Sequence, residues 1–98
     1  MPRIEFASGV VEDFERVQAH LAAHDSEASP LERIAEIRQA LRVLTHSPSI
    51  GRPAGRGQRE LVIGRDAHGY VVLYRYISTL DTVVVLAMRH QRESGYAR

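Results

Sequence analysis

The chain has 98 residues, of which 44% are hydrophobic and 26% are charged, and its formal net charge is +1. This size and composition predict one domain spanning residues 1–98. The absence of cysteine excludes disulfides and thiolate metal sites, and it favours a reducing compartment. The first residues lack the basic stretch and apolar run of a secretory signal, and nowhere do about 18 apolar residues run together. We therefore expect a cytoplasmic protein that makes no membrane contact.

The charges are distributed unevenly along the chain. Residues 1–48 contain five arginines and eight acidic residues, whereas residues 49–98 contain eight arginines and four acidic residues. A polyanion or an acidic partner should therefore meet the second half. All thirteen basic residues are arginine. A GC-rich genome explains that bias more simply than selection for forked contacts, so the positions of the arginines are more informative than the missing lysines.

The first part of the chain predicts a strand and then a helix. Ile4 and Phe6 alternate with charged neighbours, which is the period of a short, half-buried strand. From Ser8, a candidate N-cap, apolar residues recur every three or four positions, which predicts a helix ending near His24. The apolar stripe of this helix consists of Val10, Phe14, Val17 and Leu21. A polar break at residues 24–28 follows.

Three signals mark the start of a second helix. Ser29 is a candidate cap, Pro30 suits the first helical position, and Glu32 completes a capping box. The helix should stop before Ser47-Pro48, because the residue preceding a proline avoids the helical region. Its apolar stripe consists of Leu31, Ile34, Ile37, Leu41 and Leu44. Two amphipathic helices joined by a short break predict a helical hairpin, and each helix still has an apolar stripe to bury.

The second half of the chain predicts strands. Residues 49–58 contain three glycines and two arginines, which is typical of a loop. Beyond them the hydrophobic period becomes two, and we predict strands at residues 61–63, 70–77 and 82–88, with turns at 65–69 and 78–81. The fold class is therefore α+β: an N-terminal strand, a helical hairpin on one sheet face, and a three-stranded antiparallel meander whose edge the first strand joins. The other sheet face is free for function.

Four segments in this order resemble the RelE/ParE toxin family. They are Gly51-Arg52-Pro53, Arg59-Glu60-Leu61-Val62, Tyr70-Val71-Val72-Leu73-Tyr74-Arg75-Tyr76 and Met88-Arg89-His90-Gln91-Arg92. The resemblance spans nearly the whole chain. It implies a RelE/ParE-like fold, toxin activity, a cognate antitoxin from the same operon, and operator DNA contacted through the antitoxin.

The family that this chain resembles divides by target. RelE-like members cut messenger RNA on the ribosome, whereas ParE-like members poison DNA gyrase and are not nucleases. The segments at residues 59–61, 70–75 and 88–92 are closer to ParE-like plasmid-stabilisation proteins. The resemblance therefore favours a gyrase inhibitor without a cofactor. A RelE-like mRNA endoribonuclease and a non-toxic module that keeps the antitoxin interface are the alternatives, so the sequence leaves open whether the protein is an enzyme.

RNA cleavage through the 2′-hydroxyl requires a base, an acid and cations for the charge that builds on phosphorus. His90, Tyr96 and Arg92 are the catalytic candidates, because they combine a titratable ring, a phenol and a cation within a short segment. They resemble the histidine-arginine-tyrosine endings of RNA-cutting relatives. Each also has a structural interpretation: a strand-end ring for His90, a solvated charge for Arg92, and an aromatic side chain folded onto the sheet for Tyr96.

Further arginines are candidates for contact with the target or with nucleic acid: Arg52, Arg56, Arg59, Arg75 and Arg89. Strand alternation puts Arg75 on the face opposite the tyrosines at 70, 74 and 76, and the sequence does not decide which face packs on the helices. We expect Arg59, Arg75, Arg89 and Arg92 to converge on the half of the molecule away from the helical hairpin.

Two other kinds of site are not favoured. The glycine-rich segment 51–57 lacks the Gly-Lys-Ser/Thr ending of a nucleotide-binding loop, and it leads into a strand where such a loop needs a helix. His20 and His24 have the spacing of two metal ligands on a helix, but the sequence offers no third ligand. We therefore expect neither a nucleotide site nor a metal site.

Overall fold

The structure is a computed structural model that describes residues 2–24, 30–64 and 69–96. Its elements in chain order are β1 (Arg3–Phe6), α1 (Val10–His24), α2 (Pro30–His46), β2 (Arg52–Gly55), β3 (Gln58–Ile63), β4 (Tyr70–Ile77), a 3-10 turn (Ser78–Leu80) and β5 (Thr82–His90). Most of the predicted polar break, the Ser29 cap and most of the predicted turn at 65–69 lie outside the described residues, as do the side chains of Leu21 and Ile34.

The described strands form one sheet in the order β1-β5-β4-β3-β2. The strands from β2 to β5 pair antiparallel with their neighbours, whereas β1 pairs parallel with β5 and places Ile4 opposite Val83. This arrangement confirms the predicted α+β fold, including the first strand at the edge of the meander. The meander, however, has four described strands where the sequence predicted three.

The additional strand, β2, lies within the segment predicted as a loop. It pairs with β3 so that Arg52 faces Glu60, and the hairpin turns at Arg56 and Gly57, whose φ angles are +58° and +73°. Glycine and proline have low strand propensity, so the composition of this segment predicted a loop and not a strand. A proline is tolerated at the sheet edge, because the backbone N–H that it lacks would face away from any neighbouring strand and no hydrogen bond of the sheet is lost.

The helix boundaries are close to the predicted ones. α1 begins at Val10, and the carbonyl of Gly9 accepts its first helical hydrogen bond, from the N–H of Asp13 at 3.0 Å. Gly9 has a φ of +91°, a conformation that residues with a Cβ rarely adopt. The prediction of Ser8 as the N-cap is therefore wrong by one residue. α2 begins at Pro30 and ends at His46, as predicted.

The hydrophobic core lies between the helices and one face of the sheet. Val17 of α1 and Ile37 of α2 pack against Tyr70 and Val72 of β4. A second cluster joins Leu44 of α2 to the sheet. The even-numbered side chains at 70, 72 and 74 are buried against the helices, so Arg75 projects from the opposite sheet face.

The stripe predicted for α2 is wrong at its first turn. Leu31 is 78% exposed, whereas Arg33 is 4% exposed. The Arg33 Nε donates a hydrogen bond to Gln18 Oε1 of α1 at 3.0 Å. Burial of a guanidinium is tolerated where hydrogen-bond partners replace water. The contact between the two helices thus buries the charged side chain of Arg33. Leu31, which the hydrophobic period predicted to be buried, is exposed instead.

Candidate functional site

The sheet face opposite the helices, termed the open face, carries a row of polar side chains. Glu60 on β3 is paired with Arg52 on β2 and with Leu73 on β4, so the three side chains project from one face. Arg75 follows two positions after Leu73 and is exposed on the same face. Arg89 on β5 is paired with Val71 and belongs to this face as well. The tyrosine row thus packs on the helices, and Arg75 lies beside other cations.

Glu60 is the centre of this face. Its Oε2 accepts a hydrogen bond from the Tyr96 hydroxyl at 2.5 Å, and its Oε1 accepts one from Arg52 Nε at 3.1 Å. Arg89 Nη2 lies 3.8 Å from Glu60 Oε2. The side chain of Glu60 is 16% exposed. One carboxylate therefore joins β2, β5 and the C-terminal segment on the open face.

These contacts fix the charge states of the cluster. The hydrogen bond from Tyr96 lowers the pKa of Glu60; Arg52 and Arg89 lower it further, against the opposing effect of partial burial. Burial raises the pKa of Tyr96, and the Glu60 carboxylate raises it further. At neutral pH, Glu60 is thus a carboxylate and Tyr96 is a neutral hydrogen-bond donor. Both shifts move the pKa values away from neutrality, which makes Glu60 a weak base and Tyr96 a weak acid.

Arg89 also holds the C-terminal segment in place. Its Nη1 donates hydrogen bonds to the carbonyl oxygens of His90 at 3.3 Å and Glu93 at 3.1 Å. Its guanidinium carbon lies 5.3 Å from the centre of the Tyr96 ring, within the range of a cation–π contact. Arg89 is therefore both a cation on the open face and the residue that folds the chain end back over that face.

His90 lies on the helix side of the sheet. Its ring stacks on that of His20 in α1, with centroids 3.8 Å apart. Its Nε2 is 3.4 Å from Glu93 Oε1, and its Nδ1 is buried with no hydrogen-bond partner among the described residues. Tyr96, by contrast, contacts Glu60 on the open face. The structure therefore does not bring together the two acid–base candidates that lie close in sequence.

A partly buried ionic network next to His90 was not found by sequence reasoning. Asp13 of α1 is 1% exposed, and its carboxylate accepts hydrogen bonds from the Met88 N–H and from Arg16 Nη1, both at 3.0 Å. Arg16 Nη2 also contacts both carboxylate oxygens of Glu93, at 3.0 and 3.1 Å. Partial burial disfavours the charged form of Arg16, but the hydrogen bonds to Asp13 and Glu93 raise its pKa overall. The available signal was Asp13 itself, which falls on the apolar stripe of α1.

The remaining arginine candidates are dispersed. Arg59 is paired with the buried Tyr74, so it projects toward the helix side, where its Nη1 donates to the Gly51 carbonyl at 2.8 Å. Arg56 is exposed in the hairpin turn, and its carbonyl accepts a hydrogen bond from Arg75 Nη2 at 2.8 Å. Arg92 is exposed in the turn after β5. The expected convergence of four arginines is therefore wrong for Arg59, because strand alternation assigns it to the other face.

The described residues contain neither a metal-binding cluster nor a membrane-spanning helix. Within residues 2–24, 30–64 and 69–96, no three histidine or acidic side chains are arranged to hold a metal ion. The side chain of His24, one of the two histidines at metal-ligand spacing, lies outside the described residues, and so does His68. Neither described helix is long and apolar enough to cross a membrane.

The α+β arrangement of an N-terminal strand, two helices and an antiparallel meander is that of RelE/ParE-like toxins of known structure. A family model described as the ParE toxin of the type II toxin–antitoxin system parDE matches residues 4–95. The chain belongs to this ParE toxin family of type II toxin–antitoxin systems. No curated protein matches the chain.

Solved structures with the same fold come from several bacteria. The chromosomal ParDE system of P. aeruginosa contains a chain that is 16% identical, with a TM-score of 0.70 over 92% of this chain and 96% of that chain. A chain of the intact E. coli RelBE toxin–antitoxin complex is 14% identical, with a TM-score of 0.66 over 95% of this chain and 100% of that chain. A chain of the RelBE2 toxin–antitoxin complex of Mycobacterium tuberculosis is 22% identical, with a TM-score of 0.63 over 94% of this chain and 93% of that chain. At these identities the likeness shows the fold.

Proposed function

We propose that this protein acts as a single-domain ParE-like toxin in the cytoplasm, inhibits DNA gyrase and is neutralised by a cognate antitoxin. The family match over residues 4–95 supports the ParE assignment. The similar chains of P. aeruginosa and E. coli come from toxin–antitoxin complexes, which supports an antitoxin partner. In this proposal the toxin needs no cofactor and contacts operator DNA through the antitoxin.

The separation of His90 from Tyr96 is the observation that favours gyrase over RNA as the target. General acid–base cleavage needs both groups within hydrogen-bond reach of one phosphodiester. His90 is 12% exposed and stacked on His20, on the helix side of the sheet. Tyr96 is hydrogen-bonded to Glu60 on the open face. In the proposed function Arg75, Arg89 and Arg52 serve as contacts for the target and perform no proton transfer.

The arrangement around Glu60 favours a second candidate function, a RelE-like endoribonuclease. In that function Glu60 would accept the proton of the 2′-hydroxyl; its lowered pKa keeps it ionised but makes it a weaker base. Tyr96 would donate a proton to the leaving oxygen, and its raised pKa makes it a weaker acid for this step. Arg52 and Arg89 would stabilise the charge on phosphorus. This mechanism differs from the one built on His90, because every group lies on the open face.

Two measurements separate these functions. Purified protein should inhibit gyrase-catalysed supercoiling in vitro, and messenger RNA isolated from arrested cells should remain intact in primer-extension mapping. New RNA ends in the arrested cells, together with unaffected gyrase, would contradict the proposal and support the endoribonuclease. A wild-type protein that is folded but does not arrest growth would instead support the non-toxic antitoxin-binding module.

Variants on the open face sharpen this test. Arg75→Ala should weaken gyrase inhibition, because it removes an exposed cation without disturbing the core. Arg38→Ala, on the exposed surface of α2, is the matched control and should leave inhibition unchanged. Tyr96→Phe removes the phenol oxygen that an endoribonuclease would use, so this variant should stay inhibitory if gyrase is the target.

A further inference from the structure

The first strand, β1, has an unpaired outer edge. It pairs with β5 and with no other described strand, so it ends the sheet on the side away from β2. The N–H groups of Arg3 and Ala7 donate hydrogen bonds of 2.9 Å to carbonyl oxygens on the β5 side. Because alternate residues of a strand bond to the same neighbour, the main-chain groups of Ile4 and Phe6 point outward. This edge is therefore able to accept another strand.

The side chains of β1 carry opposite charges on one face. Strand alternation places Ile4 against the core beneath the helices, and it places Arg3 and Glu5 on the open face. The side chains of Arg3 and Glu5 are 76% and 53% exposed, and Arg3 Nη2 lies 3.0 Å from Glu5 Oε1. Charged side chains on an edge strand usually prevent pairing with another chain. A strand with one charge of each sign, however, discriminates between possible partners and registers.

A second copy of β1 fits this edge in one antiparallel register. When two copies pair with Ile4 opposite Ile4, each Arg3 lies opposite the Glu5 of the other copy. The two Ile4 residues exchange both of their outward main-chain hydrogen bonds, and each Phe6 N–H reaches the Pro2 carbonyl of the other copy.

Other registers of this pairing are unfavourable. A slip by one residue loses the main-chain hydrogen bonds, because outward groups of one copy would face groups of the other copy that already bond to β5. A slip by two residues in either direction would place Arg3 against Arg3 or Glu5 against Glu5, and like charges directly opposite each other are destabilising. The charges of β1 therefore favour a second copy of the same strand and fix its register.

We propose that two copies of this chain associate through their β1 strands, antiparallel about Ile4, so that the two sheets become one continuous sheet. The two-fold axis is perpendicular to the sheet, because opposite residues of paired strands project from the same face. Both helical hairpins then lie on one side of the sheet and both open faces lie on the other. The dimer thus presents Arg75 and Arg89 twice on one surface, which favours a target that repeats its binding site. The inference goes beyond the proposed function and does not depend on it.

Charge reversal on β1 tests the register. Glu5→Arg places arginines opposite each other across the two-fold axis, and Arg3→Glu does the same with glutamates. Each variant should raise the dissociation constant of the dimer by about tenfold or more. An equimolar mixture of the two variants should associate again, because every repelling pair becomes a complementary one. Arg38→Glu on α2 and Glu15→Arg on α1 are the matched controls at exposed positions, and both should keep the wild-type dissociation constant.

The measurement is sedimentation equilibrium of the purified full chain from about 10 μM to about 1 mM, since a short strand contact predicts a weak dimer. Hydrogen exchange should show protection of the Ile4 and Phe6 amides that rises with concentration, whereas the Arg3 and Glu5 amides should be protected at every concentration. A wild-type protein that remains monomeric up to about 1 mM would overturn the proposal. A dimer that both charge reversals leave intact, or protection of Ile4 only in the presence of an antitoxin, would overturn it as well.

Discussion

The rings of His20 and His90 are stacked with 3° between their planes, which joins the middle of α1 to the last residue of β5. Stacked rings contribute stabilisation beyond the area that they bury. Glu93 completes this contact, because its carboxylate accepts a hydrogen bond from the His90 N–H at 3.2 Å. The arrangement indicates a structural role for His90.

His90→Ala should lower the free energy of unfolding by about 1–3 kcal/mol, because it removes the stacked ring and leaves a cavity against α1. At a matched soluble level the variant should remain toxic and should produce no RNA cleavage. Urea denaturation and a growth assay measure the two effects. His90→Gln, similar in reach and still polar, should also remain toxic.

The control for this prediction is His46→Ala, at the exposed C-terminal end of α2, which should change stability by less than about 0.5 kcal/mol. If folded His90→Ala protein lost toxicity by about 10²-fold or more, that loss would be as large as the one expected when a proton-transfer group is removed. That result would restore His90 as a catalytic candidate.

Asp13→Ala should destabilise the protein by about 2–4 kcal/mol, since it leaves the buried Met88 N–H without an acceptor and removes a partner of Arg16. Asp13→Asn should recover part of the loss, because its amide oxygen is still able to accept the Met88 hydrogen bond. Glu12→Ala, an exposed neighbour, should be nearly neutral. Equal unfolding midpoints for Asp13→Ala and Glu12→Ala would show that the network contributes little.

Glu60→Gln should be more destabilising near neutral pH than in acid. The folded-state pKa of Glu60 lies below its ordinary value of 4.5, so its contribution to stability is complete above pH 4.5 and is lost as the pH falls through the lower folded-state pKa. The unfolding midpoints of wild type and Glu60→Gln should therefore converge as the pH falls below 4.5. Tyr96→Phe removes the main cause of the shift and should reduce this pH dependence. A constant difference across the whole pH range would contradict the prediction.

Tyr74→Phe should cost about 1–3 kcal/mol of stability, because the Tyr74 hydroxyl accepts the Gly51 N–H at 2.9 Å and donates to the Pro48 carbonyl at 2.8 Å. Tyr76→Phe provides the comparison, since its hydroxyl donates to Asp81 at an exposed position. The second substitution should be close to neutral. Calorimetric unfolding of both variants measures the difference, and the reverse order of stability would refute the assigned role of Tyr74.

Much of the fold could be predicted because local signals and tertiary packing agree. The bounds of α2 follow from Pro30 at its start and Pro48 beyond its end, and β4 coincides with its run of β-branched and aromatic residues at 70–77. The position of β1 at the edge of the meander was also predicted, whereas its parallel pairing with β5 was not.

The rest depended on contacts between residues far apart in sequence. The exposure of Leu31 and the burial of Arg33 depend on Gln18, a partner on the other helix. The cluster on the open face depends on Tyr96 reaching Glu60, 36 positions earlier in the chain. The period of a helix or strand assigns faces within one element, but it does not say which side chains of other elements meet them.

The pairing of β1 with β5 has a consequence for how the protein is made. β5 lies between β1 and β4, so the last described strand in chain order completes the sheet and is the partner of β1. A nascent chain interrupted before residue 82 lacks this interior strand and leaves the apolar side of α1 without much of its support. A translation product that ends before β5 is therefore expected to be a substrate for proteases.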